Sequence, residues 1–161
     1  QYYEKNKEVF LEYHKKYRKK RRQNDPQFRI ICNLRTRLHD FLKGHKSKST
    51  EELIGCSYDD LIEYLITKLP DGLTLDECDI DHIVPLAKFD VTNDDHVKVA
   101  CHWLNLQPLS PEDNNYKRDH VLGDIDIDRH VEWMLDVIEV ADIDEFIEAY
   151  SKSWTPLVRL T

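Results

Sequence analysis

The sequence predicts an α+β chain that is mostly helical, with one short strand–insertion–strand–helix segment set among the helices. Three observations carry that prediction. Apolar residues recur at helical spacing through 27–43 and again behind Ser57. Two short extended runs, DIDHIVPL at 79–86 and LNLQPL at 104–109, break that period. Directly after the second run, Ser110-Pro111-Glu112-Asp113 combines a capping serine, a proline at the first helical position and acidic residues in the first turn.

Taken in order, residues 2–24 are rich in Lys, Arg, Tyr and Glu and lack Gly and Pro, which predicts a helix. Val9, Leu11, Tyr13 and Tyr17 give it only a weak apolar stripe, and the block Lys15–Arg22 (KKYRKKRR) has none. That is a solvated helix or a basic arm, ended by Asn24-Asp25-Pro26. In 27–43, Phe28, Ile31, Leu34, Leu38, Phe41 and Leu42 share a face, and Gly44 stands where the helix should stop. Ser49 with Glu52 opens a short helical turn, and Ser57 with Asp60 forms a capping box. Tyr58, Leu61, Ile62, Leu65, Ile66 and Leu69 then make an amphipathic helix that Pro70-Asp71-Gly72 ends. The first extended run stops at Pro85, and Thr92 and Asp95 open a short helix over 93–101. Two acidic helices close the chain, one presenting Val131, Met134, Leu135 and Ile138. The other is capped by Asp142 and Glu145 and presents Ile143, Phe146, Ile147 and Tyr150. Trp103, Trp133 and Trp154 are expected in the core, and no internal repeat is visible.

Charge divides the chain. Its 161 residues hold 23 Lys and Arg against 31 Asp and Glu, a formal charge of −8 that by itself argues against a nucleic-acid partner. Residues 1–50, however, hold 15 basic against 5 acidic residues, a net of +10, and the remainder nets −18. Two halves so different are expected to face different partners. No apolar run approaches the roughly 20 residues of a membrane span, and nothing near the start resembles a signal peptide. A chain that opens on Gln1 rather than Met is expected to be a processed or trimmed piece. Cys32, Cys56, Cys78 and Cys101 lie 22 to 24 residues apart without a close pair. Such sparse spacing predicts reduced thiols in an intracellular protein, in the cytoplasm or the nucleus, rather than a secreted disulfide scaffold.

The segment from 79 to 119 carries the chemistry. Asp81-His82, Asn105, and then Asn114, Lys117 and Asp119 occupy fixed points in its strand–insertion–strand–helix order. Hydrolysis of a phosphodiester needs an activated water, charge stabilisation at phosphorus and help for the leaving oxygen. A histidine of near-neutral pKa can take the water's proton. A divalent cation held by hard oxygen ligands can serve the phosphate and the leaving alkoxide. Asp81 and the amide oxygen of Asn114 suit Mg²⁺ or Mn²⁺ better than zinc. Asn114 and Lys117, three apart, share one helix face. Neighbours on a regular strand point to opposite faces, so Asp81 and His82 share a site only if the strand twists, bulges or wraps the phosphate.

DIDHIVPL followed by HWLNLQPLSPEDNNYKRD resembles the ββα-metal motif of the HNH endonucleases, in the variant whose third signature residue is Asn. It looks most like the homing or nicking enzymes of bacteriophages and large DNA viruses. The specific match covers about a quarter of the chain. NLRTRL, LKGHKSKSTEELIGCS and the helix after them also look like what precedes the motif in those proteins. The resemblance implies a short two-stranded antiparallel hairpin plus helix, and a single-metal hydrolysis leaving a 5′-phosphate and a 3′-hydroxyl. It implies His82 as general base, Asp81 and Asn114 as metal ligands for Mg²⁺ (or Mn²⁺), and Asn105 as the residue that steadies the loop and the base. Asn115 is the alternative ligand, with Asn114 favoured by the N-x-x-K spacing. Lys117 would contact the phosphate, and Asp119 is a weaker match to an ion-pairing residue. The expected organisation is a basic arm (1–26), a helical region (27–75), the HNH core (76–121) and acidic helices (122–161).

The expected partner is DNA, with RNA left open, and Lys15, Lys16, Arg18, Lys19, Lys20, Arg21 and Arg22 would track its phosphates. A zinc site from Cys78, His82, Cys101 and His102 is disfavoured for want of close cysteine pairs. Calcium at Asp124, Asp126 and Asp128 fails because Arg129 and Leu135 stand where an EF-hand needs Gly and Glu. Two functional alternatives compete with the nuclease. One is a catalytically inactive nucleic-acid-binding module that retains the HNH fold; the other is an interaction domain whose acidic tail binds a basic partner.

Overall fold

The helices with the clearest apolar period form the base of the fold. Helix α2 (Pro26–Leu42) starts on a proline, which suits a first position where the missing N–H has no helical partner. It buries Ile30, Leu34, Leu38 and Leu42, one residue every turn. Helix α3 (Thr50–Ile54) is held at its start by a reciprocal capping box between Ser49 and Glu52 and stopped by Gly55 in the left-handed conformation, φ 76°. Helix α4 (Tyr58–Thr67), capped by Ser57, buries Leu61, Ile62 and Leu65. These three helices enclose one core cluster together with Cys101 and Leu106. The computed structural model describes residues 2–42, 48–118 and 126–153.

Upstream, α1 (Tyr2–Asn24) runs the full predicted length. Every side chain from Lys7 to Asn24 is exposed, Val9, Leu11, Tyr13 and Tyr17 included. The arm is therefore anchored only near its end. Arg21 lies over the Phe28 ring at 4.1 Å and pairs with Asp25 at 3.1 Å, while Arg22 donates to Asn33 at 2.6 Å.

The strand–insertion–strand–helix segment is shorter in its strands than the sequence predicts. Strand β1 spans Asp79–His82 and β2 spans Leu106–Leu109, antiparallel, with Asp79 opposite Leu109 and Asp81 opposite Gln107. The first strand ends at His82, three residues before Pro85, and residues 103–105 form a 3₁₀ turn before β2. Between the strands lies α5 (Asp94–Cys101), whose cap is Asn93 rather than Thr92; its side chain accepts from the N–H groups of Asp95 and His96. Helix α6 (Pro111–Lys117) follows β2 through the predicted Ser110 cap. A mostly helical chain carrying one two-stranded antiparallel sheet is an α+β fold.

Helices α7 (Ile127–Val137) and α8 (Ile143–Ser153) complete a second core cluster with Val84, Phe89, Val99 and Leu104. Val131, Met134 and Ile138 are buried there as expected, and so is Phe146. Three expected core residues are not. Trp133 on α7 is 45% exposed, and Ile143 and Ile147 are exposed as well, because among the described side chains of α8 Phe146 is the one that enters the core. Ile66 is likewise exposed on the outer side of α4. Gly44, Asp119, Asp124 and Trp154 lie outside the described residues. All four cysteines are free thiols, Cys78 and Cys101 buried. Among the described residues no helix is long and apolar enough to cross a membrane.

Candidate functional site

The two-residue period of β1 sets the geometry. Asp79 and Asp81 project from one face of the strand, and Ile80 and His82 from the other. Ser110 turns α6 back against both strands, so Asn114 and Lys117, three residues apart on one helix face, meet those carboxylates. Asn114 Nδ2 donates to Asp79 Oδ2 at 3.1 Å, and Lys117 Nζ stands 2.8 Å from Asp81 Oδ2. Strand residues two apart and helix residues three apart have similar spacing, which lets two pairs form side by side.

Asp81 is held from both sides. Its other oxygen, Oδ1, accepts from Arg37 Nη1 at 2.7 Å, and the same nitrogen donates to the carbonyl of Ile80 at 2.6 Å. Lys117 is 1% exposed, so its ammonium is neutralised by Asp81 rather than offered to solvent. It is thus held as an internal cation, whereas the resemblance implies a phosphate contact. Asn114 is half-buried and in the site, whereas Asn115 is exposed on the far side of α6.

His82 lies against the other face of β1, 2% exposed, its Nε2 buried without a hydrogen-bond partner. Burial pushes its pKa down to about 3, and the charges of Arg37 and Lys117 push the same way, against Asp81. The imidazole is therefore neutral at physiological pH and electrostatically within reach of the Arg37–Asp81–Lys117 group. Behind it stands Asn105, completely buried. Its Oδ1 accepts from Val84 N at 2.8 Å, and its Nδ2 donates to the carbonyls of Val84 at 3.1 Å and Ala100 at 3.0 Å. The Asn105 carbonyl also accepts from Ile83 N at 2.7 Å. One amide thus ties the chain just after His82 to the end of α5.

Could a cation sit here? Asp79 and Asp81 supply carboxylates, and an Asn114 amide whose nitrogen is spent on Asp79 has its oxygen left to give. These are hard donors of the kind Mg²⁺ or Mn²⁺ takes. Among the described residues no three His, Cys, Asp or Glu side chains gather as a metal-holding group. A cation at Asp81 would therefore draw on Asn114 and on water for its remaining ligands. The donor set fits.

Sequence reasoning missed two members of this site. Asp79 was visible as the residue two before Asp81, and strand alternation alone places both on one face. Arg37 comes from α2, 44 residues away, and no local pattern announces it. The basic arm is remote from these contacts in sequence and takes part in none of them. Lys15, Lys16, Arg18, Lys19 and Lys20 are exposed along α1, with Lys16 3.4 Å from Glu12.

Compared with known proteins, the chain is similar to two uncharacterized proteins of Acanthamoeba polyphaga mimivirus. One is 34% identical over 116 residues, covering 70% of this chain and 51% of the viral protein. The other is 28% identical over 122 residues, covering 73% and 53%. The chain spans about half the length of these curated relatives. No protein-family profile matches it, and no solved structure does.

Proposed function

We propose that this chain is a metal-dependent HNH-type endonuclease that hydrolyses phosphodiester bonds in DNA. The observation that supports the reading best is the convergence of Asp79, Asp81, Asn114 and Lys117 on one face of a β1–β2–α6 unit, with His82 next to Asp81 and braced through Asn105. Asp81 and Asn114, with Asp79 beside them, would hold Mg²⁺ or Mn²⁺. Bound there, the cation would stabilise charge on the phosphate and on the leaving oxygen. In this reading His82 is the group that takes a proton from the attacking water, and substrate binding must open the site around its ring, which is 2% exposed. Arg37 and Lys117 hold this carboxylate in place, and Arg37, the more exposed of the two, is the cation that an arriving phosphate would meet. The exposed cations of α1 would hold the backbone of the DNA without reading its sequence.

The test is cleavage of supercoiled plasmid beside a branched DNA with Mg²⁺. Nicking that EDTA stops is the expected result, with His82→Ala abolishing cleavage while binding survives. Nicking by His82→Ala at the wild-type rate would sink the assignment.

One observation favours a second reading, the inactive nucleic-acid-binding module. His82 is sealed from solvent, and both oxygens of Asp81 are engaged by cations of the protein itself. On that reading the chain retards DNA yet turns over no linear, branched or single-stranded substrate with Mg²⁺, Mn²⁺, Co²⁺ or Zn²⁺.

A further inference from the structure

On the outer side of β2, between α4 and α7, lies an open cleft of about 370 Å³. That is the size at which pockets begin to hold small organic groups. Its walls include Tyr64, Lys68, Leu106, Gln107, His130 and Trp133. Three features of these walls point to one kind of occupant.

The first is aromatic surface. The Trp133 indole is 45% exposed, unusual for the largest side chain of an amphipathic helix, and Tyr64 is held opposite by an edge-on contact with Trp103 at 4.7 Å. The second is unspent hydrogen bonding. Gln107 Nε2 and His130 Nε2 are both buried without a partner. Such groups cost free energy unless something satisfies them. Asn105, two residues before Gln107, shows the contrast, because its amide is fully used. The third is charge. Helices α4 and α7 carry Asp59, Asp60, Glu63, Glu132 and Asp136, yet none of these lines the cleft. Among the described residues that line it, the one formal charge is the Lys68 ammonium, 5.7 Å from the centre of the Tyr64 ring.

Position supplies the rest. Gln107 is the cross-strand partner of Asp81, so the cleft begins one strand away from the candidate metal ligands. We infer that this cleft holds an unpaired nucleobase of the DNA strand whose phosphodiester lies at Asp81. The inference rests on the endonuclease reading above and gives it a substrate class, DNA with an unpaired nucleotide at a branch, flap or gap. A flat, polar-edged base stacks on Trp133 and Tyr64 and offers edge acceptors to the Gln107 amide, which turns from its buried position to meet them, while Lys68 faces its sugar-phosphate. A base inside an uninterrupted duplex has both faces stacked and its pairing edge used, so it cannot enter without being extruded.

The experiment uses the full chain and three DNAs of one sequence: a fork with a normal unpaired nucleotide at the junction, the same fork with an abasic residue there, and the uninterrupted duplex. Binding is measured by fluorescence anisotropy without metal, and cleavage with Mg²⁺. The wild type should bind the normal fork at least about tenfold more tightly than the abasic fork, in line with one stacked base. Trp133→Ala should bring that ratio to within about twofold, Gln107→Ala should lower it, and Trp133→Phe should retain most of it. Equal binding of the two forks by the wild type overturns the inference, as does an undiminished ratio in Trp133→Ala. If the ratio holds and no DNA is cut, the cleft stands and the endonuclease reading falls. If all three DNAs are cut but bound alike, the reverse follows. Neither binding nor cutting removes both.

Discussion

Helix α1 and the β1–β2–α6 unit both carry basic residues, and they hold them in opposite ways. Along α1 the cations from Lys15 to Arg22 stand in water, where keeping a charge costs little and salt screens what it attracts. In the small unit Lys117 is 1% exposed and survives only because Asp81 stands 2.8 Å away, with Arg37 on the other side of the same carboxylate. The first arrangement can lend affinity but cannot position atoms. The second fixes a carboxylate and leaves no cation spare for long-range attraction. Changes in the two regions should therefore separate cleanly into binding effects and site effects.

The largest expected effect is on chemistry. In the proposed reaction, removing the general base by His82→Ala lowers the cleavage rate by roughly 10²–10⁴-fold while plasmid retardation stays within a few-fold of wild type. His82→Asn, which fills more of the buried space, keeps the comparison valid should the alanine variant fold poorly. If both variants cleave normally, the unit is not a catalytic one.

Next comes stability. Asp81→Ala leaves Lys117 buried without its counter-charge, and breaking such a pair costs about 3–5 kcal/mol. Chemical denaturation of the variant should show that loss, and the double change Asp81→Ala with Lys117→Met should recover most of it. An unchanged denaturation midpoint in Asp81→Ala would mean that this ion pair is not what keeps Lys117 inside.

Deleting residues 1–24 should act the other way round. The helix buries no side chain from Lys7 onward, so the thermal midpoint should hardly move. DNA binding should weaken, and the slope of log affinity against log salt should flatten by up to about 0.9 for each phosphate that the arm neutralises. Unchanged salt dependence would show that the arm does not touch DNA.

How much of this contrast was legible beforehand follows from the range of the signals. The caps at Ser49, Ser57 and Ser110 are local, since each serine bonds a backbone N–H three residues on, and all three mark helix starts in the structure. The +10 charge of residues 1–50 and the weak stripe of α1 likewise announced an exposed basic helix. What a local pattern cannot carry is which distant charge fills a buried position. Nothing near Arg37 says that it reaches Asp81, and Lys117 looks like any helix lysine until β1 is placed beneath it. Trp133 misled for a related reason: its size suggested core, but its turn of α7 faces the open cleft, while Met134 next to it faces inward.

Per pH unit, the smallest expected effect concerns histidines buried in the helical part, outside the arm and the candidate metal ligands. His96 is completely buried between Phe89 and Phe146, where burial holds its pKa low against the opposing pull of Asp90 and Asp95. Burial likewise pushes His102 down to about 4, packed against Gly55 at the start of the 3₁₀ turn before β2. In the unfolded chain both return to about 6.5. Between pH 6.5 and about 4 the unfolded state therefore binds protons that the folded state refuses, so the free energy of unfolding falls as pH falls through that window. The slope is at most about 1.4 kcal/mol per pH unit for each such histidine. Well above pH 6.5, where the unfolded rings have lost their protons too, neither residue contributes a slope. Asp90 and Asp95, whose pKa values folding lowers, add acid sensitivity in the same direction further down the scale. Urea titrations at a series of pH values should show this decline, and His102→Asn should remove its share while an amide oxygen still accepts from Leu104 N. A stability flat from pH 7 to pH 4.5 would mean that these rings meet water in the folded chain, and the division between a solvated arm and a sealed body would fail with it.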